Sequence, residues 1–270
     1  MPNTLDGILL LGWMEKSEAL SWLMEHCWFD PALTPMEAEA LWEKYRAVAQ
    51  ALPDPRPIPK IQRRPIPALA QPHVKQFLAR HKGPEVLDVL NVDPRELVIY
   101  QFYVAVSRSD EHIKNGSKAW AQTCLQIDRP PSNLPIRSEG NIIKISLPHG
   151  EHGLALQPDG AFRIQQGGGF VAVCELNGRI LLKAGYHRSF ATARGVNAPD
   201  ANETSLLVAL TATAPPQLSA QLPTQGLRTL VFGSRPPLFS DFLDESLAMR
   251  VKLRKKKYEA HIRFEQIDDL

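Results

Sequence analysis

The beginning of the chain has the pattern of apolar and polar positions that is typical of helices. Residues 4–52 carry apolar side chains at helical spacing, and ILLLGWMEK within them is apolar on most faces, as in a buried helix. A second helix has a clear start signal, because Thr34 precedes Pro35 and stands three residues before Glu37, the pattern of a capping box. We therefore predict a helical N-terminal segment over residues 1–52.

A proline-rich segment follows. Residues 53–72, PDPRPIPKIQRRPIPALAQP, hold seven prolines in twenty positions, which predicts an extended strap or linker and the best domain boundary in the sequence. Beyond it, HVKQFLARHK and PEVLDVLN are predicted to be short helices. Residues 96–106 are rich in β-branched and aromatic side chains and predict a buried strand, and residues 108–126 predict a further helix.

Residues 136–233 alternate strand-like segments with a short helix. NIIKISLP alternates as a strand, and GFVAVCEL and RILLKA flank Asn177-Gly178, the dipeptide typical of a type I′ hairpin turn. A short helix is predicted over residues 187–194, and residues 205–213 are apolar throughout, as expected of a central strand. The predicted order is therefore hairpin, helix, strand.

Two alternating segments near the C-terminus, MRVKLR and YEAHIRF, predict a hairpin joined by three consecutive lysines. The predicted fold class is therefore α/β (α+β). Its parts are a helical N-terminal segment (1–52), a Pro-rich strap (53–72), an α/β segment packing on the core (73–135), the core (136–233) and a basic C-terminal hairpin (234–270).

Composition narrows the class of protein. The chain has 270 residues, of which 44% are hydrophobic and 22% charged, with a formal net charge of +2, as in an ordinary folded protein. Cys27, Cys124 and Cys174 are far apart, which predicts reduced thiols rather than disulfides. No run approaches the roughly 20 apolar residues of a membrane span, and the first residues lack the basic segment of a signal peptide. We therefore expect a cytoplasmic protein with no membrane partner.

The strongest candidate chemistry lies in AGYHRSFATARG, where a strand is predicted to turn into a helix. His187 and Arg188 stand at the start of that helix, where cations are unfavourable because the free N–H groups carry partial positive charge. A bound phosphate would balance the positive charges at this helix start, with the N–H groups and both side chains converging on one anion. The alternative is that His187 packs on the inner face of the helix while Arg188 is solvated.

The block GRILLKAGYHRSFATARG is similar to the signature of the ParB/sulfiredoxin-like fold, over residues 136–215. Members of that superfamily carry a hairpin, then a G-x-H-R or G-E-R-R element that opens a helix, then a strand. The matching residues are Gly185, Tyr186, His187, Arg188 and Ala191. In sulfiredoxins this element binds ATP phosphates and supplies the reactive cysteine, and in ParB partition proteins it binds CTP.

The resemblance implies a nucleotide- or phosphate-binding protein, with ATP or CTP as candidate ligands and Mg²⁺ as a candidate companion ion. It implies a phosphate contact for Arg188, a hydrogen-bonding or acid–base role for His187, and close approach at Gly185. Tyr186 replaces the sulfiredoxin cysteine, which excludes sulfinic-acid reductase chemistry, and we expect it to stack on a base or position a substrate. NTP-dependent or phosphodiester chemistry stays open, as does whether the protein is an enzyme.

Two further loops carry weaker signals. Gly167, Gly168 and Gly169 allow a backbone nest that could cradle a phosphate, but a flexible loop leading into a strand is the favoured interpretation. LPHGEHGL carries two histidines and a glutamate, but it lacks the helical spacing of a known zinc motif. We therefore predict no metal site.

The basic tail offers an alternative function. Six of the eight residues from 250 to 257 are basic, and they are Arg250, Lys252, Arg254, Lys255, Lys256 and Lys257. A hairpin with these cations on one side could follow nucleic-acid phosphates, which would make the protein a DNA-associated or assembly protein without catalysis. The competing interpretation is a solvated edge hairpin whose charges guard against aggregation.

Overall fold

The structure is a computed structural model, and it describes residues 4–58, 63–107, 109, 124–125, 136–139, 142–147, 152–156, 162–166, 170–194, 205–212, 225–254 and 258–263. The chain divides into two compact units. The first comprises residues Met1–Ile127 and Phe170–Arg254, and the second comprises Asp128–Gly169 and Lys255–Leu270. The predicted strap at residues 53–72 therefore lies inside the first unit and does not separate two units.

The helices are α1 (Lys16–Ser21), α2 (Pro35–Gln50), α3 (Gln71–His81), α4 (Tyr186–Ala193) and α5 (Gln225–Phe232). The strands are β1 (Thr4–Leu9), β2 (Cys27–Trp28), β3 (Val86–Val92), β4 (Tyr103–Ala105), β5 (Ile136–Glu139), β6 (Ile142–Leu147), β7 (His152–Leu156), β8 (Phe162–Gln166), β9 (Ala172–Leu176), β10 (Arg179–Ala184), β11 (Leu206–Thr211), β12 (Met249–Arg254) and β13 (Tyr258–Arg263). Helices and sheets of mixed and antiparallel type make this an α/β fold, as predicted.

The first unit contains two four-stranded sheets. One has the order β2-β12-β1-β4 with every neighbouring pair antiparallel. The other has the order β10-β9-β11-β3, in which β9 and β11 are parallel and the outer pairs are antiparallel. Helix α4 joins β10 to β11, and seven of its eight residues are buried. This helix is therefore part of the core.

The described strands of the second unit form two small sheets. One has the order β13-β6-β5, with antiparallel pairs throughout, and the other is the antiparallel pair β7-β8. The strand predicted from NIIKISLP is confirmed as β6.

Two predicted helices are strands in the structure. Residues 4–9, within the predicted helical segment, form β1, which pairs with β12 some 245 residues later in the chain. PEVLDVLN forms β3, which pairs with β11 at the edge of the second sheet. Both segments are short apolar runs, and such runs suit a buried strand as well as a buried helix. Their strand partners, which lie far along the chain, decide between the two.

Other predictions are confirmed in their local detail. The amide of Glu37 donates to the Thr34 hydroxyl (3.3 Å), and the amide of Thr34 donates to the Glu37 carboxylate (2.8 Å), so α2 begins with the predicted capping box. Asn177 and Gly178 have φ of 51° and 70°, as the predicted type I′ turn requires. The predicted strand at residues 96–106 is shortened to β4, preceded by isolated bridges at Val98.

The Pro-rich strap is anchored to the rest of the first unit by a buried ion pair. The Arg56 guanidinium donates to both carboxylate oxygens of Asp241, and the distance from Nη1 to Oδ2 is 2.8 Å. The backbone amide of Arg56 donates to the carbonyl of Ser234. Asp241 is 1% exposed, and the guanidinium also lies over the Trp13 ring at 5.9 Å. The Pro-rich segment is therefore tied to the first unit at Arg56 and is not a free linker there, and its last residues, from Ala68 on, are helical.

Candidate functional site

The candidate site begins at a glycine that no other residue could replace without strain. β10 ends at Ala184, and Gly185 then adopts φ 92°, ψ 23°, in the left-handed region, as the N-cap of α4. A Cβ added at Gly185 would lie 2.8 Å from the nearest side-chain carbon of Val171 and 3.0 Å from its Cα. The strand-to-helix turn thus requires glycine both for its dihedral angles and for its contact with Val171.

Tyr186 points into the core. Its ring is 4% exposed, and its hydroxyl accepts from the amides of Tyr100 and Gln101 at 3.2 Å each and donates to the carbonyl of Leu182 at 2.9 Å. Burial raises the pKa of this phenol far above its usual value, so the group stays a neutral donor. The predicted stacking of Tyr186 on a ligand base is therefore wrong, because the ring is enclosed by protein.

His187 is half-buried and contacts strand β4. The amide of Ala105 donates to its Nδ1 atom at 3.3 Å. An imidazole nitrogen that accepts a hydrogen bond carries no proton, so the tautomer that fits this contact has its proton on Nε2. The contact with β4 therefore fixes both the tautomer and the orientation of this side chain.

Arg188 is buried, with only 6% of its surface exposed. It is therefore not the solvated cation of the alternative interpretation. Its positive charge acts on the Cys124 thiol, although burial dominates there and raises the pKa of Cys124 to about 12. A guanidinium in such surroundings has to be matched by polar or charged partners, because burying a cation is costly.

The first turn of α4 offers backbone donors to an anion. No side chain caps the helix, and its first turn contains no acidic residue. The amide of Ser189 is the first to bond back, to the carbonyl of Gly185 at 2.9 Å, and its hydroxyl bonds the same carbonyl. The amides of residues 186–188 precede that first helical bond, and they carry the positive end of the helix dipole.

Two loops that carried weaker sequence signals lie wholly or partly outside the described residues. Gly167, Gly168 and Gly169 belong to this group, and so do the histidine and glutamate of LPHGE. The described chain resumes at Phe170, directly before the Val171 that packs on Gly185. Within the described part of the chain, no group of three His, Cys, Asp or Glu side chains is arranged to hold a metal ion.

The predicted basic hairpin does not form, because its two strands belong to different sheets. β12 has β2 on one side and β1 on the other, so neither of its edges is left for β13, which pairs with β6. The alternation is as predicted: Val251 and Leu253 are buried, and Arg250, Lys252 and Arg254 are exposed.

The exposed cations of β12 are partly neutralised. Arg250 pairs with Glu245 at 3.2 Å, and Lys252 pairs with Asp6 at 2.6 Å. Lys255, Lys256 and Lys257 lie outside the described residues. The described chain thus shows three of the six cations, exposed on β12 and not on a hairpin with β13, and nucleic-acid binding stays a prediction.

Sequence reasoning missed the partners that position the site. Tyr100, Gln101 and Ala105 contact Tyr186 and His187 across more than 80 residues of sequence, and they do so through backbone amides. Backbone donors leave no signature in a sequence, so only the fold could reveal them.

Comparisons with protein-family models, with curated proteins and with solved structures gave no match for this chain. Among the described helices, none is long and apolar enough to cross a membrane. What the site does must therefore be inferred from its own residues.

Proposed function

We propose that this protein binds a nucleotide or another phosphate-bearing ligand at the start of α4, in a core of the ParB/sulfiredoxin-like type. The observation that carries the proposal is the turn at Gly185. A left-handed glycine there opens a helix whose first three amides precede the first helical bond and whose first turn contains no acid. Such an end favours an anion, because the amides and the helix dipole both act on it.

The arrangement of the surrounding strands supports the same proposal. β9 and β10 form a hairpin through a two-residue turn, α4 follows directly, and β11 then pairs in parallel with β9. This is the hairpin–helix–strand order that the resemblance implies. It puts the Gly-Tyr-His-Arg element at the end of a strand, where phosphate sites of α/β proteins are commonly found.

The residues of the element have distinct roles in this proposal. Gly185 permits close approach, and the Nε2 proton of His187 hydrogen-bonds a phosphate oxygen or serves as a general acid. The charge of Arg188 stabilises the anion from within the protein, and a triphosphate would bring Mg²⁺ with it. Tyr186 holds the turn in place and does not touch the ligand.

Thermal denaturation with ATP, CTP, GTP and sulfate tests this proposal. A ligand at about one hundred times its Kd stabilises a protein by about 2.7 kcal/mol, which corresponds to a rise in Tm of roughly 5–10 °C for a chain of this size. We expect such a rise with at least one nucleotide in the presence of Mg²⁺. A rise with sulfate alone would indicate an anion site without base recognition.

Two substitutions separate binding from folding. His187→Asn keeps an acceptor for the Ala105 amide but removes the Nε2 donor, and Arg188→Lys keeps the charge but removes the fork of donors. His187→Asn should weaken nucleotide binding about tenfold, the effect of one lost charge-assisted bond. Arg188→Lys keeps the buried charge that acts on the anion, so it should weaken nucleotide binding less than His187→Asn does. Lys44→Gln, on the exposed surface of α2, is the matched control and should bind as the wild type does. Failure of all four ligands to raise Tm would overturn the proposal.

A further inference from the structure

The opposite end of α4 borders a cavity that the proposed phosphate site does not use. The cavity has a volume of about 230 Å³ and lies between the C-terminal half of α4 and the β2-β12-β1-β4 sheet. It is lined by Asp6, Gly7, Ile8, Val106, Phe190, Arg194, Arg250 and Val251, all of them in the first compact unit. The lining comes from residues far apart in sequence, so the cavity exists only in the folded chain.

The interior of the cavity is apolar. Ile8, Phe190 and Val251 are buried, at 7%, 3% and 7% exposure, and Val106 is half-buried. An apolar cavity of about 150 Å³ in another protein stays dry and takes up benzene. By that comparison, a cavity of this size accommodates about nine non-hydrogen atoms of an aliphatic or aromatic group.

Two arginine side chains belong to the described lining at the rim of the cavity. Arg194 is exposed and places its guanidinium 5.7 Å from the centre of the Phe190 ring, and Arg250 enters from β12. The carboxylate of Asp6 is already paired with Lys252 at 2.6 Å. Among the described lining residues, Asp6 is therefore the one acid, and it already has a cationic partner.

Arg250 is available to a ligand because its present ion pair is weak. The Nη2 atom of Arg250 lies 3.2 Å from Oε1 of Glu245, and the two side chains are 81% and 86% exposed. An ion pair as exposed as this contributes little to stability. A carboxylate held by an apolar body in the adjacent cavity would compete with Glu245 at small cost, and guanidinium groups bind carboxylates through two parallel hydrogen bonds.

We propose that this cavity binds a small amphiphilic carboxylate, with an aliphatic or aromatic body inside and its carboxylate on Arg250 at the rim. The inference does not depend on the proposed phosphate site, because it uses the other end of α4 and none of the residues of the Gly-Tyr-His-Arg element. A medium-chain fatty acid is the simplest probe of this chemistry.

Calorimetric titration of the full chain with octanoate tests the inference. For about ten non-hydrogen atoms, a Kd of roughly 0.1–1 mM is expected. Octylammonium has the same chain and the opposite charge, and it should show no binding in this range. Equal affinity for the two ions would overturn the inference, and so would the absence of octanoate binding.

Substitutions locate the bound ion. Arg250→Gln, at an exposed position, should weaken octanoate binding about two- to fivefold, and Val106→Phe should abolish it by filling the cavity. Lys44→Gln removes an equal charge from α2 and should change nothing. Arg250→Gln alone keeps the test decisive if Val106→Phe fails to fold. Wild-type affinity in Arg250→Gln would place octanoate elsewhere and refute the inference.

Discussion

Replacing Tyr186 by phenylalanine tests the main correction that the structure makes to the sequence interpretation. The substitution removes one oxygen atom and leaves the buried ring in place. That oxygen accepts from the amides of Tyr100 and Gln101 and donates to the carbonyl of Leu182. If Tyr186 is a structural residue, stability should fall while ligand binding at α4 persists.

The expected loss of stability follows from the three hydrogen bonds. A buried donor or acceptor left without a partner costs about 1–3 kcal/mol, and the substitution leaves two amides and one carbonyl in this condition. Water partly reaches the half-buried segment of Tyr100 and Gln101, which lowers the total free-energy cost of the unpaired groups. We expect a total of about 3 kcal/mol, equivalent to a fall in Tm of roughly 6–12 °C for a chain of this size.

Urea denaturation followed by tryptophan fluorescence measures this loss, since Trp13 lies in the same core at 5% exposure. Tyr100→Phe is the matched control, because its hydroxyl makes one described bond, to the carbonyl of Lys183 at 2.9 Å. It should cost about 1 kcal/mol. The reasoning is refuted if Tyr186→Phe lowers the free energy of unfolding no more than Tyr100→Phe does. It is also refuted if a nucleotide-induced rise in Tm is lost in Tyr186→Phe but kept in Tyr100→Phe.

Three further substitutions test other parts of the fold by urea denaturation. Thr34→Ala should lower the free energy of unfolding by about 1 kcal/mol, because it removes the N-cap of α2, whereas Thr34→Ser keeps the hydroxyl and should keep most of that stabilisation. Equal losses in the two variants would argue against the cap. Arg56→Met should cost about 3 kcal/mol, because it leaves the carboxylate of Asp241 buried without its charge partner; a loss below about 1 kcal/mol would mean that the strap is not anchored there. Burial raises the pKa of Asp93, but hydrogen bonds from Arg95 outweigh it and hold that pKa below its ordinary value of 3.8. The wild type should therefore lose this contribution as pH falls through the lowered pKa, whereas Asp93→Asn should be less stable at neutral pH and lose less below about pH 4; parallel pH profiles would contradict this.

The sequence by itself determined the elements whose signals are local. The capping box of α2 and the Asn177-Gly178 turn are each specified by adjacent residues, because a cap or a two-residue turn needs only neighbouring dihedral angles and side chains. The candidate element around Gly185 belongs to the same group. Gly185, placed between an apolar strand-like segment and a short run of helical pattern, predicts a strand-to-helix turn, and the structure has one at this position.

Tertiary structure alone decided what the apolar segments became and which residues meet. The segments of β1 and β3 suit a helix or a strand equally. Each is a strand because its backbone pairs with a strand that is distant in sequence. The alternation of β12 specifies a strand but not its neighbours, so the expected hairpin gave way to pairing with β1 and β2. The direction in which Tyr186 points follows from the same cause. The backbone amide of Tyr100, 86 residues away in the sequence, donates to the Tyr186 hydroxyl, and a sequence does not show where such donors will lie.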